Sequence, residues 1–245
     1  MTIKLDVQLS PEQQAALAKT DPRWWFTTFE FANATSPIHP KIERLEIASS
    51  AKRTMVLPSF ERLAPGKRVL DLFCANGAFS FEAARLGASE VFGVDYDEAR
   101  IECATFTASL VSGSLSPIPS FAFGDIYHLG DVVHEPVDLT LALGGLYHLS
   151  DPVLALRNIR AATAPGGHMI LQTSRIIRLP GSWAKFLTVE RTVDRTEGRA
   201  GVWKLSPKAL ETMLAFAGFE IQERLPVARL RGRKMAWYGA VCRAV

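Results

Sequence analysis

Along the middle of this chain, short apolar runs alternate with helical segments, the order of a mostly parallel sheet covered by helices on both faces. Val69 and Leu70 lead a strand into Asp71, and a small-residue turn then runs to Gly77. An alanine-rich helix is predicted from Phe79 to Leu86, with a second strand from Val91 to Val94. Upstream, Ser10-Pro11-Glu12-Gln13 has the pattern of a capped helix start, and that helix should end near Lys19, before Asp21-Pro22. An aromatic stretch follows (Trp24, Trp25, Phe26, Phe29, Phe31), then a loop from Asn33 to Pro40. Ile42, Leu45, Ile47, Met55 and Leu63 stand among charges, which suits helices lying over the sheet.

Periodicity fades in residues 173–205, which carry Arg175, Arg178, Arg191, Arg195, Arg199, Trp183 and Trp203. An insertion of that length at the carboxyl edge of a sheet is expected to serve as a lid or substrate-binding element. Ser206-Pro207 starts another helix, to Ala217, and Gly218 ends it. Phe219 to Leu225 and Trp237 to Arg243 predict a closing antiparallel pair whose tip carries Arg229, Arg231, Arg233 and Lys234. The expected organisation is an N-terminal helical cap and pocket-lining segment over 1–64, then a core over 65–245 with the insertion at 173–205.

The first chemical information lies at the strand tips. Asp71 and Asp95 are 24 residues apart and each ends a strand, where open α/β sheets bind nucleotide-like ligands. The acid on the second strand is placed to grip ribose hydroxyls, so an adenosine-containing cofactor is expected. A dinucleotide would need a glycine-rich turn to bring backbone N–H groups to its pyrophosphate. Here the turn is Asp71-Leu72-Phe73-Cys74-Ala75-Asn76-Gly77, with one glycine and an acid at its start. That acid repels a pyrophosphate and attracts the ammonium of an amino-acid tail. S-adenosylmethionine (SAM) therefore fits better than NAD or ATP, and no P-loop motif is present.

These residues resemble the class I SAM-dependent methyltransferases. The resemblance continues in order through Phe123-Gly124-Asp125-Ile126, then Val137 to Leu143 as the fourth strand, then Pro165 to Leu171 as the turn into the fifth. It implies a Rossmann-like α/β fold: a mostly parallel seven-stranded sheet with helices on both faces and an antiparallel C-terminal strand. It also implies that Asp71, Phe73, Cys74, Gly77, Asp95, Tyr96, Asp125, Ile126 and Leu143 bind the cofactor, Asp125 at the adenine. Leu143 to Leu149 followed by Asp151-Pro152 is similar to the wobble-uridine tRNA (carboxy)methyltransferase family and its smaller relatives, and Trp25-Phe26…Glu30-Phe31 echoes that family's segment ahead of the core. Phe73 and Ala75 depart from the class pattern by standing where glycines are common. Tyr147 matches the family's tyrosine, but no lysine-containing segment is placed to handle a carboxylated donor, so carboxymethyl chemistry is not carried over.

Methyl transfer asks the protein to align donor and acceptor and to remove the acceptor's proton. His148 is the candidate base, since it follows the Gly144-Gly145 turn and an ordinary imidazole titrates near neutrality. Tyr147 is placed to orient the acceptor. Trp25 and His39 are candidate pocket residues from the N-terminal segment, and Arg175, just past the fifth strand, is a candidate substrate contact.

The leading expectation is O-methylation of a small or medium hydroxylated metabolite such as a saccharide. The alternative is a tRNA wobble-uridine modifying (carboxy)methyltransferase, with the basic 229–234 tip touching RNA phosphates, and a third reading is a non-catalytic SAM-binding subunit. A net charge of +3 decides nothing about a polyanionic partner. Three cysteines without C-x-x-C suggest neither a disulfide framework nor a zinc site, so no metal is expected. With no signal pattern and no long apolar run, the chain is expected to be cytoplasmic, away from membranes, and a homodimer contact through the aromatic segment is one option.

Overall fold

The computed structural model describes residues 2–176, 180–188, 201–226 and 236–245, without the side chains of Arg44, Arg175 and Ala236. The chain opens with β1 (Thr2–Lys4), α1 (Pro11–Ala18), β2 (Thr28–Glu30) and the long α2 (Ile42–Leu63). The alternating core follows: β3 (Arg68–Leu72), α3 (Ala78–Arg85), β4 (Glu90–Asp95), α4 (Glu98–Leu110), β5 (Ser120–Phe123), β6 (Val137–Leu143), α5 (Pro152–Ala162) and β7 (Thr163–Ile176). Last come β8 (Ala184–Thr188), β9 (Gly201–Leu205), α6 (Pro207–Phe216), β10 (Phe219–Arg224) and β11 (Ala236–Ala244).

The main sheet runs β10-β11-β7-β6-β3-β4-β5. The pairs from β7 through β5 are parallel, and β11 is antiparallel to both its neighbours. The seven-stranded Rossmann-like order expected above is thus present. Two strands add to it: β8 and β9 form an antiparallel pair inside the insertion, and β9 reaches β7 through Ile176 and Leu205. The chain moves outward from β3 to β5 and returns to β6 on the other side of β3, which opens a crevice at the carboxyl ends of β3 and β6.

Local chemistry explains the element boundaries. Ser10 and Gln13 close a reciprocal capping box on α1, and Ser206 caps α6 through the Ala209 N–H. Asp97 caps α4 and Asp151 caps α5, so the strand ends that feed the crevice pass directly into helix N-termini. The N-terminal segment is not a loose appendage. Trp25, Phe29 and Phe81 are fully buried in one aromatic cluster, with Phe29 edge-on to Phe81 of α3 at 5.4 Å. Among the described residues no helix is long and apolar enough to cross a membrane.

Candidate active site

A cavity of about 740 Å³ occupies the crevice, with the β3 and β6 tips at its floor and Leu45, Ala48, Ser49 and Lys52 of α2 on one wall. The turn after β3 is its most constrained part. Phe73 and Ala75 adopt positive φ, 59° and 50°, a left-handed conformation costing an L-residue on the order of 1–2 kcal/mol. Surrounding bonds hold them there: Ala75 N–H donates to Asp95 Oδ2 at 2.9 Å, Cys74 N–H to Val94 O at 3.2 Å, and Asn76 Nδ2 to Thr27 O at 3.1 Å. The Phe73 ring lies against the Gly145 backbone so closely that a Cβ there would come within 2.2 Å of it. A phenylalanine thus stands where the class often has glycine because a glycine across the crevice makes room for it.

The ionisable groups are arranged around this turn. Asp71 is buried and accepts from Ser80 Oγ at 2.7 Å. Burial pushes its carboxyl up to about 7 against the opposing pull of the Ser80 hydrogen bond and the Lys52 charge. Lys52 donates from Nζ to Leu143 O at 2.9 Å, and burial lowers its ammonium to about 8 while Asp71 works the other way. Asp95 is also raised by burial, with Arg100 opposing; its two oxygens accept the N–H groups of Ala75 and Asp97. Asp125 caps the short 3-10 turn Ile126–Asp131 through Tyr127 N–H, with His128 Nδ1 3.6 Å from its carboxylate.

Tyr147 and His148 sit in the short 3-10 turn Leu146–His148, their ring centroids 4.0 Å apart, and both line the cavity. Two bonds from elsewhere pin this loop. Trp203 of β9 donates from Nε1 to Leu149 O at 2.9 Å, and the Tyr127 hydroxyl accepts from Asp151 N–H at 2.8 Å while contacting Ser150 Oγ at 3.0 Å.

Most of the residues expected from sequence converge here. Asp71, Phe73, Cys74, Asp95, Tyr96, Asp125, Ile126, Leu143, Tyr147 and His148 all line the one cavity. Gly77 does not line it; its positive φ of 79° turns the chain into α3, and Phe121 fills the space where its side chain would be. Trp25 is a correction. Its ring is 0% exposed and its indole N–H donates to Thr20 Oγ1 at 2.9 Å, so it packs, and the neighbouring Phe26 faces the cavity instead. His39 lines a second, smaller cavity rather than the main one. The Arg175 side chain, Arg178, Arg191, Arg195 and Arg199 lie outside the described residues, as do Arg229, Arg231, Arg233 and Lys234. Sequence reading missed Lys52 and Asn76. Asn76 sat inside the quoted turn, whereas Lys52 acts across 91 residues and leaves no local signal. Among the described residues no cluster of His, Cys, Asp and Glu is placed to hold a metal ion.

The cavity fits SAM on features of its own. Asn76 Oδ1 is a buried acceptor with no hydrogen-bond partner in the protein, which suits an incoming ammonium donor. Gly144, at φ 99°, has no Cβ and so lets Lys52 Nζ come within 2.8 Å of where one would stand. Acids stand at both strand tips, and the lysine offers a counter-charge for a carboxylate.

Comparison with known proteins agrees with this geometry. Residues 63–218 match the family described as "Methyltransferase domain". The chain is 28% identical over 176 residues to the tRNA U34 carboxymethyltransferase of Idiomarina loihiensis, covering 71% of this chain and 52% of that one. It is 31% identical over 159 residues to the enzyme of the same name from Pseudomonas syringae pv. tomato, covering 63% and 46%. The chain thus spans about half the length of these relatives. Among solved structures, the N-terminal domain of EvdMO1 with S-adenosylhomocysteine (SAH) and D-fucose superposes with a TM-score of 0.69 at 21% identity, covering 96% of each chain. The magnesium protoporphyrin IX methyltransferase of Synechocystis PCC 6803 with bound SAH gives 0.59 at 18% identity, covering 82% of this chain and 85% of that one.

Proposed function

Because the chain belongs to the methyltransferase-domain family, we propose that it is a SAM-dependent methyltransferase whose acceptor is a wobble-position uridine of tRNA and whose preferred donor is SAM carboxylated on the transferable carbon. The names of the relatives favour this acceptor over the small hydroxylated metabolite expected first. The observation that carries the donor assignment is Lys52, a cation in the wall of the donor cavity at the tip of β6, beside Gly144.

When bound, the donor supplies an electrophilic carbon on a sulfonium whose leaving group is a neutral thioether. The chain's own groups do the rest. Asp95 accepts from the ribose hydroxyls, and Asp71 with Asn76 Oδ1 faces the ammonium. Lys52 neutralises a carboxylate, and Tyr147 orients the acceptor. His148 takes the proton from a nucleophilic hydroxyl carried by that uridine as the new bond to carbon forms and the thioether leaves. Phe73 and Gly145, interlocked, keep the donor turn and the His148 loop in fixed relation.

Competition binding tests the donor. The protein should hold carboxylated SAM at least about tenfold more tightly than SAM, as a charge-assisted contact gives. Lys52→Met should erase that preference while still binding SAM. Equal binding of the two donors by the unaltered protein would leave plain methyl transfer as the reaction.

A further inference from the structure

Beside the donor cavity lies a second one of about 360 Å³ with a composition of its own. Arg23, Trp24, Phe26, His39, Lys41 and Arg100 contribute to its walls, so three cations share it with three ring systems. Phe26 and Arg100 line both cavities, and the Arg100 guanidinium lies over the Phe26 ring at 4.4 Å, forming the partition. Asp97 and Ala99 also line it, and the Asp97 N–H donates to Asp95, so this space adjoins the acid proposed to take the ribose.

The charges differ in availability. Arg23 is held by Asp21, and Arg100 by Asp97 at 2.9 Å, whereas no ion pair engages Lys41 among the described residues. His39 is held below its ordinary pKa by burial and by Lys41, with Asp21 opposing, and its Nδ1 accepts the Lys41 N–H at 2.9 Å. The neutral ring therefore carries its proton on Nε2, as a donor. The cavity offers one uncommitted cation, one neutral donor and the half-buried rings of Trp24 and Phe26. That is the chemistry that binds single-stranded nucleic acid: stacking for a base, with a cation for its phosphate. Modifying a base in a loop requires the strand to be unstacked, which leaves its neighbours in need of surfaces.

We infer that this second cavity holds the nucleotide flanking the modified one, with its base on Trp24, beside the Phe26–Arg100 pair, and its phosphate on Lys41. The parent RNA rests on the tRNA reading above; the nucleotide chemistry rests on the cavity. Phe26 and Arg100 then stand between the donor and the acceptor strand, and the second cavity strengthens binding of that strand.

The test uses the full chain saturated with SAH and titrated with the trinucleotide UpUpU. Saturable binding is expected, weakened about tenfold by Trp24→Ala. Lys41→Glu should weaken it similarly and reduce the salt slope by about 0.7. Lys67→Glu, on an exposed site away from the cavity, should change neither. With tRNA as acceptor, both cavity variants should raise KM and leave kcat within about twofold. Absence of saturable trinucleotide binding, or equal binding by the wild type and both variants, would overturn the inference. If tRNA accepts no label while UpUpU binding still responds to Trp24 and Lys41, the tRNA reading fails and the cavity assignment stands. If tRNA is modified with unchanged KM in both variants, the cavity assignment fails and the tRNA reading stands.

Discussion

The donor half of the site and the rim that faces the acceptor are built in opposite ways. In the donor half, Asp71, the 73–77 turn and Asp95 belong to one continuous β-α-β unit, and the turn is bonded directly to the tip of β4. On the rim, β9 supplies Trp203 from 54 residues away and the segment around Phe26 arrives from the N-terminus. The adenosine and amino-acid parts of the donor are common to the class, so the site for them can be local and self-contained, whereas the group proposed for the added carboxylate, Lys52, comes from outside that unit. An acceptor site must differ between enzymes, and it is assembled from decorations that differ with it.

That contrast can be broken experimentally, and Asp95 should show the largest effect. Asp95→Ala removes the proposed ribose acceptor and also frees the Ala75 and Asp97 N–H groups, so SAM affinity measured by calorimetry should fall by about 100-fold or more. A change below about threefold would show that the donor half does not depend on its strand-tip acids. His148→Ala should leave SAM affinity intact and lower the single-turnover rate by about 100-fold. An unchanged rate would remove the rim's proposed base.

Trp203→Phe keeps a ring on β9 and loses the hydrogen bond to Leu149 O. Because the loop is also held by Tyr127, kcat should drop by roughly threefold to tenfold, the scale of one such bond, with SAM binding unchanged. If SAM binding fell instead, the two halves would not be separable. The smallest effect concerns stability. The folded Asp71 carboxyl titrates near 7, well above its ordinary value, so between about pH 4 and 7 the folded state holds a proton that the unfolded chain has lost. Asp71's contribution to the stability of the ligand-free protein is therefore present below pH 4 and lost as pH rises towards 7. The melting temperature of Asp71→Asn should lack that decline; identical pH profiles would contradict the assignment.

The same contrast explains what could be read from the sequence. The strands, Asp71, Asp95 and Asp125 were legible because acid-tipped apolar runs and helix caps act over a few residues. Tyr147 and His148 were legible from their place after β6. Lys52 was not, since one lysine on a charged helix says nothing until the helix is laid across a strand end. Trp24, Trp25 and Phe26 could not be told apart by type. The 3-10 turn Pro22–Trp24 and the bond from Trp25 to Thr20 decide which ring is buried and which face the cavities. β8 and β9 are five residues each and pair across the insertion, too short for a period to show.

The most direct measurement is to incubate the protein with unfractionated host extract and SAM or its carboxylated form, labelled at the transferable carbon, and to separate RNA, protein, polysaccharide and small molecules. Label is expected in the tRNA fraction, in a modified uridine after digestion to nucleosides, and more of it from the carboxylated donor. Label confined to the small-molecule or polysaccharide pool would contradict the tRNA assignment and return the protein to metabolite O-methylation.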